Sequence, residues 1–270
     1  MTATDAATLT GFSHVIAALQ HQADHFTMAL PSDWLQGRTA YGGLSAALCL
    51  QATLRSGPDV PPLRSAQFTF VGPATGVLRV TPVVLRQGKS TVFTSAELEG
   101  ENGLAARATF CFGGDRSLTL NYADLPAPIA ASPSACSGYF DWPGKPNFMN
   151  HFEGRLAVGA RPGTPDVRPE MLVWLRHRDE ETEGDLVSLL ALADALPPAA
   201  TILFPKPAPI STMTWSFDML DAAPTSPTGW WLVRCAAETA RQGYSAQSSL
   251  IWDSEGRPIL AARQTIAIFG

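Results

Sequence analysis

Two pairs of matching segments recur along the chain at nearly the same separation. Residues 85–90 read LRQGKS and match residues 240–245, ARQGYS. Residues 104–109 read LAARAT and match residues 260–265, LAARQT. The separations are 155 and 156 residues, which predicts one folding unit used twice. Two copies of a unit commonly pack about a pseudo-two-fold axis, so we expect any binding cleft between the halves.

The composition fits two compact units and argues against several classes of protein. A chain of 270 residues is long enough for two domains, and 46% hydrophobic against 16% charged residues can form a sizeable core. The formal net charge is −5, with no cluster of basic residues, so we expect no nucleic-acid partner. The four cysteines are widely spaced and form no metal-ligating pair, so we expect no metal.

No targeting or membrane-spanning signal is visible in the sequence. Residues 1–10 lack a basic region followed by an apolar run, and no apolar stretch reaches the roughly 18 residues that a membrane span needs. We therefore expect no membrane span and a cytoplasmic location. The oligomeric state stays open, with a homo-oligomer among the options.

The first half of the chain reads as helix and then strands. Residues 11–21 carry apolar residues at helical spacing, and residues 26–30 read as a short strand. Residues 41–52 are small and apolar on most faces, which predicts a helix buried nearly all round. Turn signals such as Asn102-Gly103 separate four predicted strands, at 63–71, 77–85, 90–98 and 104–112.

The second half repeats that order after a segment rich in proline, alanine and serine. A strand is predicted at 171–177 and a helix at 185–196, which stops before Pro197-Pro198. Four more strands are predicted, at 210–220, 230–237, 244–252 and 259–268. The fold prediction is α+β, with two tandem units that each wrap an antiparallel sheet around a helix. We place the units at 1–120 and 147–270, with a linker at 121–146.

The positions where the two copies differ are candidates for chemistry. Aligning residues 63–70 with 210–217 makes Gln67 equivalent to Thr214, and the second repeat makes Ala108 equivalent to Gln264. The Gln264 amide could orient a water or bind a carbonyl, or could face solvent. Asp194 stands in an otherwise apolar helix, either at its surface or as a buried carboxylate in the cleft.

Glycines at the start of the first buried helix suggest a second polar feature. Gly42 and Gly43 could let N–H groups of the helix N-terminus approach a carbonyl oxygen, or could simply form a tight turn. Thr214 and Thr239 are either site hydroxyls or ordinary strand residues.

These segments together resemble the acyl-CoA thioesterase family of double hotdog proteins, similar to bacterial thioesterase II. The resemblance spans roughly residues 23–269. It is carried by GRTAYGG at 37–43, LADALPP at 192–198 and STMTWSF at 211–217, together with the last strand and its Gln264. The resemblance implies a double hotdog fold and hydrolysis of an acyl-CoA to a free acid and CoA. No metal and no redox cofactor would be required.

The resemblance also implies roles for single residues. The family is taken to hold a water with an Asp, a Thr or Ser and a Gln of the second hotdog. Gln264 and Thr239 match two of these roles, while Thr214 stands where the Asp is expected. A hydroxyl cannot replace a carboxylate base. Gly42, Gly43, Gln67 and Trp215 are then expected to contact substrate.

Three alternatives follow from the threonine at position 214. Asp194 or Asp218 could supply the carboxylate, neutral groups could hold a slowly attacking water, or the chain could bind acyl-CoA or lipid without hydrolysis. A hotdog hydratase is disfavoured, because the five histidines form no His/Asp motif.

Overall fold

The structure of the protein is a computed structural model that describes residues 9–57 and 59–269. Most of the 1–10 segment, and the outer ends of both expected units, lie outside the described residues. Within them, the three α-helices are α1 (Phe12–Ala17), α2 (Gly42–Ser56) and α3 (Leu186–Ala193). Short 3-10 turns occupy Ser32–Trp34, Pro133–Ala135, Asn147–His151 and Ala199–Leu203.

Antiparallel strands make up most of both halves. The first half contributes β1 (Gln20–Gln22), β2 (His25–Ala29), β3 (Leu35–Gln36), β4 (Thr39–Ala40), β5 (Leu63–Phe70), β6 (Val77–Gln87), β7 (Thr91–Gly100) and β8 (Gly103–Gly113). The second half contributes β9 (Ser137–Gly138), β10 (Phe152–Gly159), β11 (Glu170–His177), β12 (Ile210–Met219), β13 (Trp231–Arg241), β14 (Tyr244–Trp252) and β15 (Pro258–Ile268).

One 13-stranded sheet runs through both halves in the order β1-β2-β6-β7-β8-β5-β12-β15-β14-β13-β11-β10-β9. The order in the second half mirrors that in the first, and β5 pairs with β12 where the halves meet. Phe68 lies opposite Trp215 at this seam, between the pairs Gln67–Ser216 and Thr69–Thr214. Because the sequence alignment makes Phe68 equivalent to Trp215, the pseudo-two-fold axis passes between these two residues.

The sequence repeats fall on equivalent elements of the two units. LRQGKS and ARQGYS form the β6–β7 and β13–β14 turns, and the LAAR segments lie in β8 and β15. The helices α2 and α3 pack against each other, and the Tyr41 hydroxyl donates to the Ala191 carbonyl over 2.8 Å. The predicted α+β double hotdog is confirmed.

Three details differ from the sequence expectation. α3 has eight residues and ends at Ala193, because Asp194 (φ −98°, ψ 5°) already leaves the helical conformation. α1 covers six residues of the predicted 11–21 helix. The proline-rich segment is also more than a connection: β9 lies within it, and its aromatic side chains Tyr139 and Phe140 are buried in the core.

Candidate active site

A cavity of about 600 Å³ opens beside the C-terminal end of α3. Polar side chains that line it include Asp194, Thr212 and Gln264, which come from the end of α3, from β12 and from β15. The rest of the wall is mainly apolar and includes Trp142, Phe148, Met149, Leu196, Phe204 and Ile210. A few polar groups in an apolar cleft are typical of a small-molecule site.

Asp194 is a half-buried carboxylate at the wall of this cavity. Gln264 Nε2 donates to its Oδ1 over 2.6 Å, and the backbone N–H of Gly43 also donates to the carboxylate. Burial raises the pKa of Asp194 to about 7, and these two hydrogen bonds oppose the rise because they favour the ionised form. A carboxyl group with this pKa can both accept and release a proton near neutral pH.

The glycines at the start of α2 make room for Asp194. A Cβ on Gly42 would lie 2.7 Å from Asp194 Oδ2, closer than real side chains approach. The N-terminal end of α2 thus faces a carboxylate, which the helix dipole favours. The backbone N–H of Gly43 is directed at Asp194, and neither glycine is among the described residues that line the cavity.

A chain of hydrogen bonds leads from Asp194 into the sheet. Gln264 Oε1 accepts from Gln247 Nε2, and Gln247 Oε1 accepts from the backbone N–H of Ala199 over 3.0 Å. Gln247 lies opposite Gln264 in the β14–β15 register and is fully buried. The structure thus brings Asp194 and Gln264 together, as in one of the alternatives expected from the sequence, and adds Gln247.

Three other expected site residues lie on the exposed surface. The side chains of Gln67, Thr214 and Thr239 are exposed, and none of them lines the cavity. Asp218 is exposed as well. Side chains alternate between the faces of a strand, so Thr214 points away from the face that carries its neighbour Trp215 and the opposing Gln264. Thr214 therefore does not meet Gln264, and we leave these residues out of the site.

A β-bulge in β12 accounts for the inward side chain of Thr212. Thr212 pairs with Ile266 and Thr214 with Thr265, which leaves Met213 as an extra residue. The extra residue reverses the alternation, so Thr212 turns inward and lines the cavity. Regular alternation counted back from Trp215 would place Met213 inward and Thr212 outward. No signal in the sequence marks this bulge.

Trp215 lies in the core at the seam. Its side chain is buried, and its ring stacks on Phe68 with centroids 5.4 Å apart and packs against Phe217 at 5.2 Å. It shares a register position with Gln264 without lining the described cavity. Trp215, expected to contact substrate, therefore belongs to the core at the seam.

Most of the chain matches the models of known protein families. Residues 30–113 match the acyl-CoA thioesterase N-terminal domain, and residues 128–268 match the acyl-CoA thioesterase C-terminal domain. The chain belongs to the acyl-CoA thioesterase family. The C-terminal match begins within the segment we expected to be a linker, in accord with the buried Tyr139 and Phe140. Among curated protein sequences, none matches this chain.

Solved structures share the fold over nearly the whole length of this thioesterase-family chain. A hot dog fold protein of unknown function from Alicyclobacillus acidocaldarius superposes with a TM-score of 0.85 at 20% identity, covering 97% of this chain and 99% of its own. The tesB protein of Mycobacterium avium subs paratuberculosis gives 0.77 at 16% identity, covering 96% and 100%. Acyl-CoA thioesterase II TesB2 from Mycobacterium marinum gives 0.74 at 14% identity, covering 94% and 97%.

Histidines, possible metal ligands and long apolar helices are the other features of this family member that bear on function. Of the described residues that line the cavity, none is a histidine, and His177 Nε2 donates to the Ser188 carbonyl elsewhere. Within residues 9–57 and 59–269, no three His, Cys, Asp or Glu side chains cluster in a way that could hold a metal ion. None of the helices in that part of the chain has the length and apolar character to cross a bilayer.

Proposed function

We propose that the protein hydrolyses an acyl-CoA thioester to a free acid and CoA, with Asp194 as the general base. The observation that carries this proposal is a half-buried carboxylate with a raised pKa, contacted by Gln264 and Gly43, at the wall of a largely apolar cavity of about 600 Å³. The apolar wall suits an acyl chain, and the carboxylate suits activation of a water.

In the proposed reaction, Asp194 takes a proton from a water whose oxygen attacks the thioester carbonyl carbon. A C–O bond forms, and the C–S bond then breaks, with its electron pair leaving on sulfur. Asp194 returns the proton to the CoA thiolate, so the carboxylate is restored for the next cycle. Gln264 donates to Asp194 Oδ1 and so favours the ionised form that acts as the base.

Thr212 is the hydroxyl that we assign to the acyl carbonyl. Two threonine hydroxyls line the cavity, those of Thr201 and Thr212, and Thr201 Oγ1 already donates to the Pro198 carbonyl over 2.7 Å. A hydroxyl that donates to the carbonyl oxygen would stabilise the charge that develops there during attack. The expected hydroxyls at 214 and 239 face away from this cavity.

Incubation with a panel of acyl-CoA esters and a thiol-detecting dye tests the proposal. We expect release of free thiol, and we expect Asp194→Asn to lower kcat by about 100-fold or more, since general-base catalysis contributes that much. Asp218→Asn, which removes an exposed carboxylate, is the matched control and is expected to retain activity.

The main alternative is a protein that binds acyl-CoA without hydrolysing it. Binding without thiol release at stoichiometric enzyme would support that alternative and refute hydrolysis. Full activity in Asp194→Asn would instead remove Asp194 from the reaction. A cytoplasmic location and assembly into a homo-oligomer stay predictions.

A further inference from the structure

Gln247 lies behind the residues that face the cavity. It comes from β14, its side chain is buried, and it does not line the cavity itself. It nevertheless touches the site through Gln264, whose Oε1 accepts from Gln247 Nε2. A buried glutamine with both ends of its amide hydrogen-bonded needs a physical reason, because burying a polar side chain is costly without partners.

The backbone of Ala199 fixes which way the Gln247 amide points. A backbone N–H can only donate, so the atom of Gln247 that lies 3.0 Å from the Ala199 nitrogen has to be oxygen. The amide nitrogen of Gln247 then faces Gln264, and the Gln264 oxygen must accept its hydrogen bond. The remaining end of Gln264, its Nε2, is left to face Asp194 Oδ1 at 2.6 Å.

We propose that Gln247 is a positioning residue, which fixes the orientation of the Gln264 amide so that Gln264 presents an N–H, and not its oxygen, to Asp194. This inference rests on the proposed function for its catalytic meaning. With the opposite orientation, Gln264 Oε1 would face Asp194 Oδ1, and two oxygens at that distance require a proton between them. The relay therefore favours the ionised carboxylate, which is the form that can act as a base.

Few other groups near Asp194 could favour its ionised form. Burial raises the pKa of Tyr41, before α2, and of Cys235, in β13, and the charge of Asp194 contributes to both rises. Arg161 and Lys206 are the basic side chains that line the cavity. The Arg161 guanidinium donates to the carbonyls of Gly138 and Tyr139. The donors on the Asp194 carboxylate itself are the Gly43 N–H and Gln264 Nε2.

Two substitutions of Gln247 test the relay in different ways. Gln247→Met has a similar length and no polar end, so Gln264 loses the partner that holds it. Gln247→Glu still accepts from Ala199 but presents oxygen to Gln264, which inverts the Gln264 amide and turns its oxygen toward Asp194. Gln87→Glu, at an exposed position at the end of β6, adds the same charge away from the site and is the control.

The decisive readout is the titration midpoint of Asp194, followed by carboxyl ¹³C NMR and assigned with Asp194→Asn. Both Gln247 variants are expected to move the midpoint upward, Gln247→Glu by about one pH unit or more, with no change in Gln87→Glu. At pH values below the midpoint of the variant, its kcat/KM for thioester hydrolysis should be about tenfold lower than that of the wild type. At higher pH the variant's kcat/KM should recover. A general loss of structure would not produce such recovery.

Unchanged Asp194 midpoints in folded Gln247 variants would overturn the proposal. If Gln247→Glu fails to fold because of its buried charge, Gln247→Met decides the question, since it adds no charge. If the wild-type protein releases no thiol from any acyl-CoA, the proposed function fails, while the Asp194 titration still tests the relay. The two failures are therefore distinguishable.

Discussion

Asp194 combines two opposing effects in one side chain. Its burial disfavours the charged form, while Gln264 and Gly43 each donate a hydrogen bond that favours it. The balance leaves the pKa of Asp194 at about 7, against an ordinary value of 3.8. A carboxyl group in this state is half ionised near neutral pH, so both activity and stability should depend on pH in that range.

The stability of the protein should fall as the pH rises through this range. The folded state holds a proton on Asp194 up to about pH 7, whereas the unfolded chain releases it near 3.8. The folded state thus binds more protons between these values, so the contribution to stability is complete below about 3.8 and is lost as the pH approaches 7. Each unit of difference between the folded and unfolded pKa values corresponds to about 1.4 kcal/mol, so the Asp194 contribution to the free energy of unfolding is on the order of a few kcal/mol.

Urea denaturation at several pH values measures this dependence. Asp194→Asn should remove this part of the slope between about pH 4 and pH 7, whatever its absolute stability, because an amide does not titrate there. Asp218→Asn serves again as the exposed control. Equal slopes in the wild type and Asp194→Asn would show that the folded protein does not hold Asp194 protonated in this range.

At the level of single residues, the sequence predicted part of the site. Asp194 and Gln264 stood out because a carboxylate in an apolar helix and a glutamine in place of Ala108 break local patterns. Thr212 and Gln247 gave no such signal. The inward direction of the Thr212 side chain depends on one extra residue in β12. The orientation of the Gln247 amide depends on Ala199, which is 48 residues away in sequence.

At the level of elements, the start of α2 is fixed by close contacts to α3. A Cβ on Gly43 would lie 2.5 Å from the Tyr41 hydroxyl oxygen and 2.6 Å from the Ala191 carbonyl oxygen. These are the two atoms that hydrogen-bond across the α2–α3 contact. A side chain at position 43 would therefore separate the helices and shift the N–H that donates to Asp194.

Gly43→Ala should consequently destabilise the fold and the site together. We expect a loss of about 1–3 kcal/mol in the free energy of unfolding, as for other overpacked positions, although alanine is the better helix former. Thermal and urea denaturation measure the loss, with Gly184→Ala as the control because a Cβ there meets no atom within 4 Å. Equal stability of the two variants would mean that the α2–α3 contact is loose.

Elements with strong local patterns were predicted well, and those that depend on distant partners were not. The strands β6, β7 and β8 lie between marked turns, and their bounds agree with expectation to within two residues. β10 escaped prediction because its sequence, FEGRLAVG, has two glycines and no regular alternation. It becomes a strand through pairing with β9 and β11.

At the level of the whole molecule, the two units are continuous with each other. The single sheet crosses from β5 to β12, and the ring of Trp215 stacks on Phe68 at the pseudo-two-fold axis. α2 and α3 also touch on the inner side of the sheet, and the site draws Gly43 from the first unit and Gln264 from the second. Both copies of the repeat therefore contact the Asp194 carboxylate.

This continuity predicts that the units unfold together and that Trp215 couples them. Wild-type protein should show one urea transition, with the same midpoint by circular dichroism and by tryptophan fluorescence. Trp215→Ala should lower the free energy of unfolding by about 3–5 kcal/mol, as expected for deletion of a large buried side chain. Trp230→Ala is the matched control, since Trp230 is half-buried and packs under Arg176, 4.5 Å from its ring centroid. Two separate transitions in the wild type, or equal losses in both variants, would mean that the seam does not couple the units.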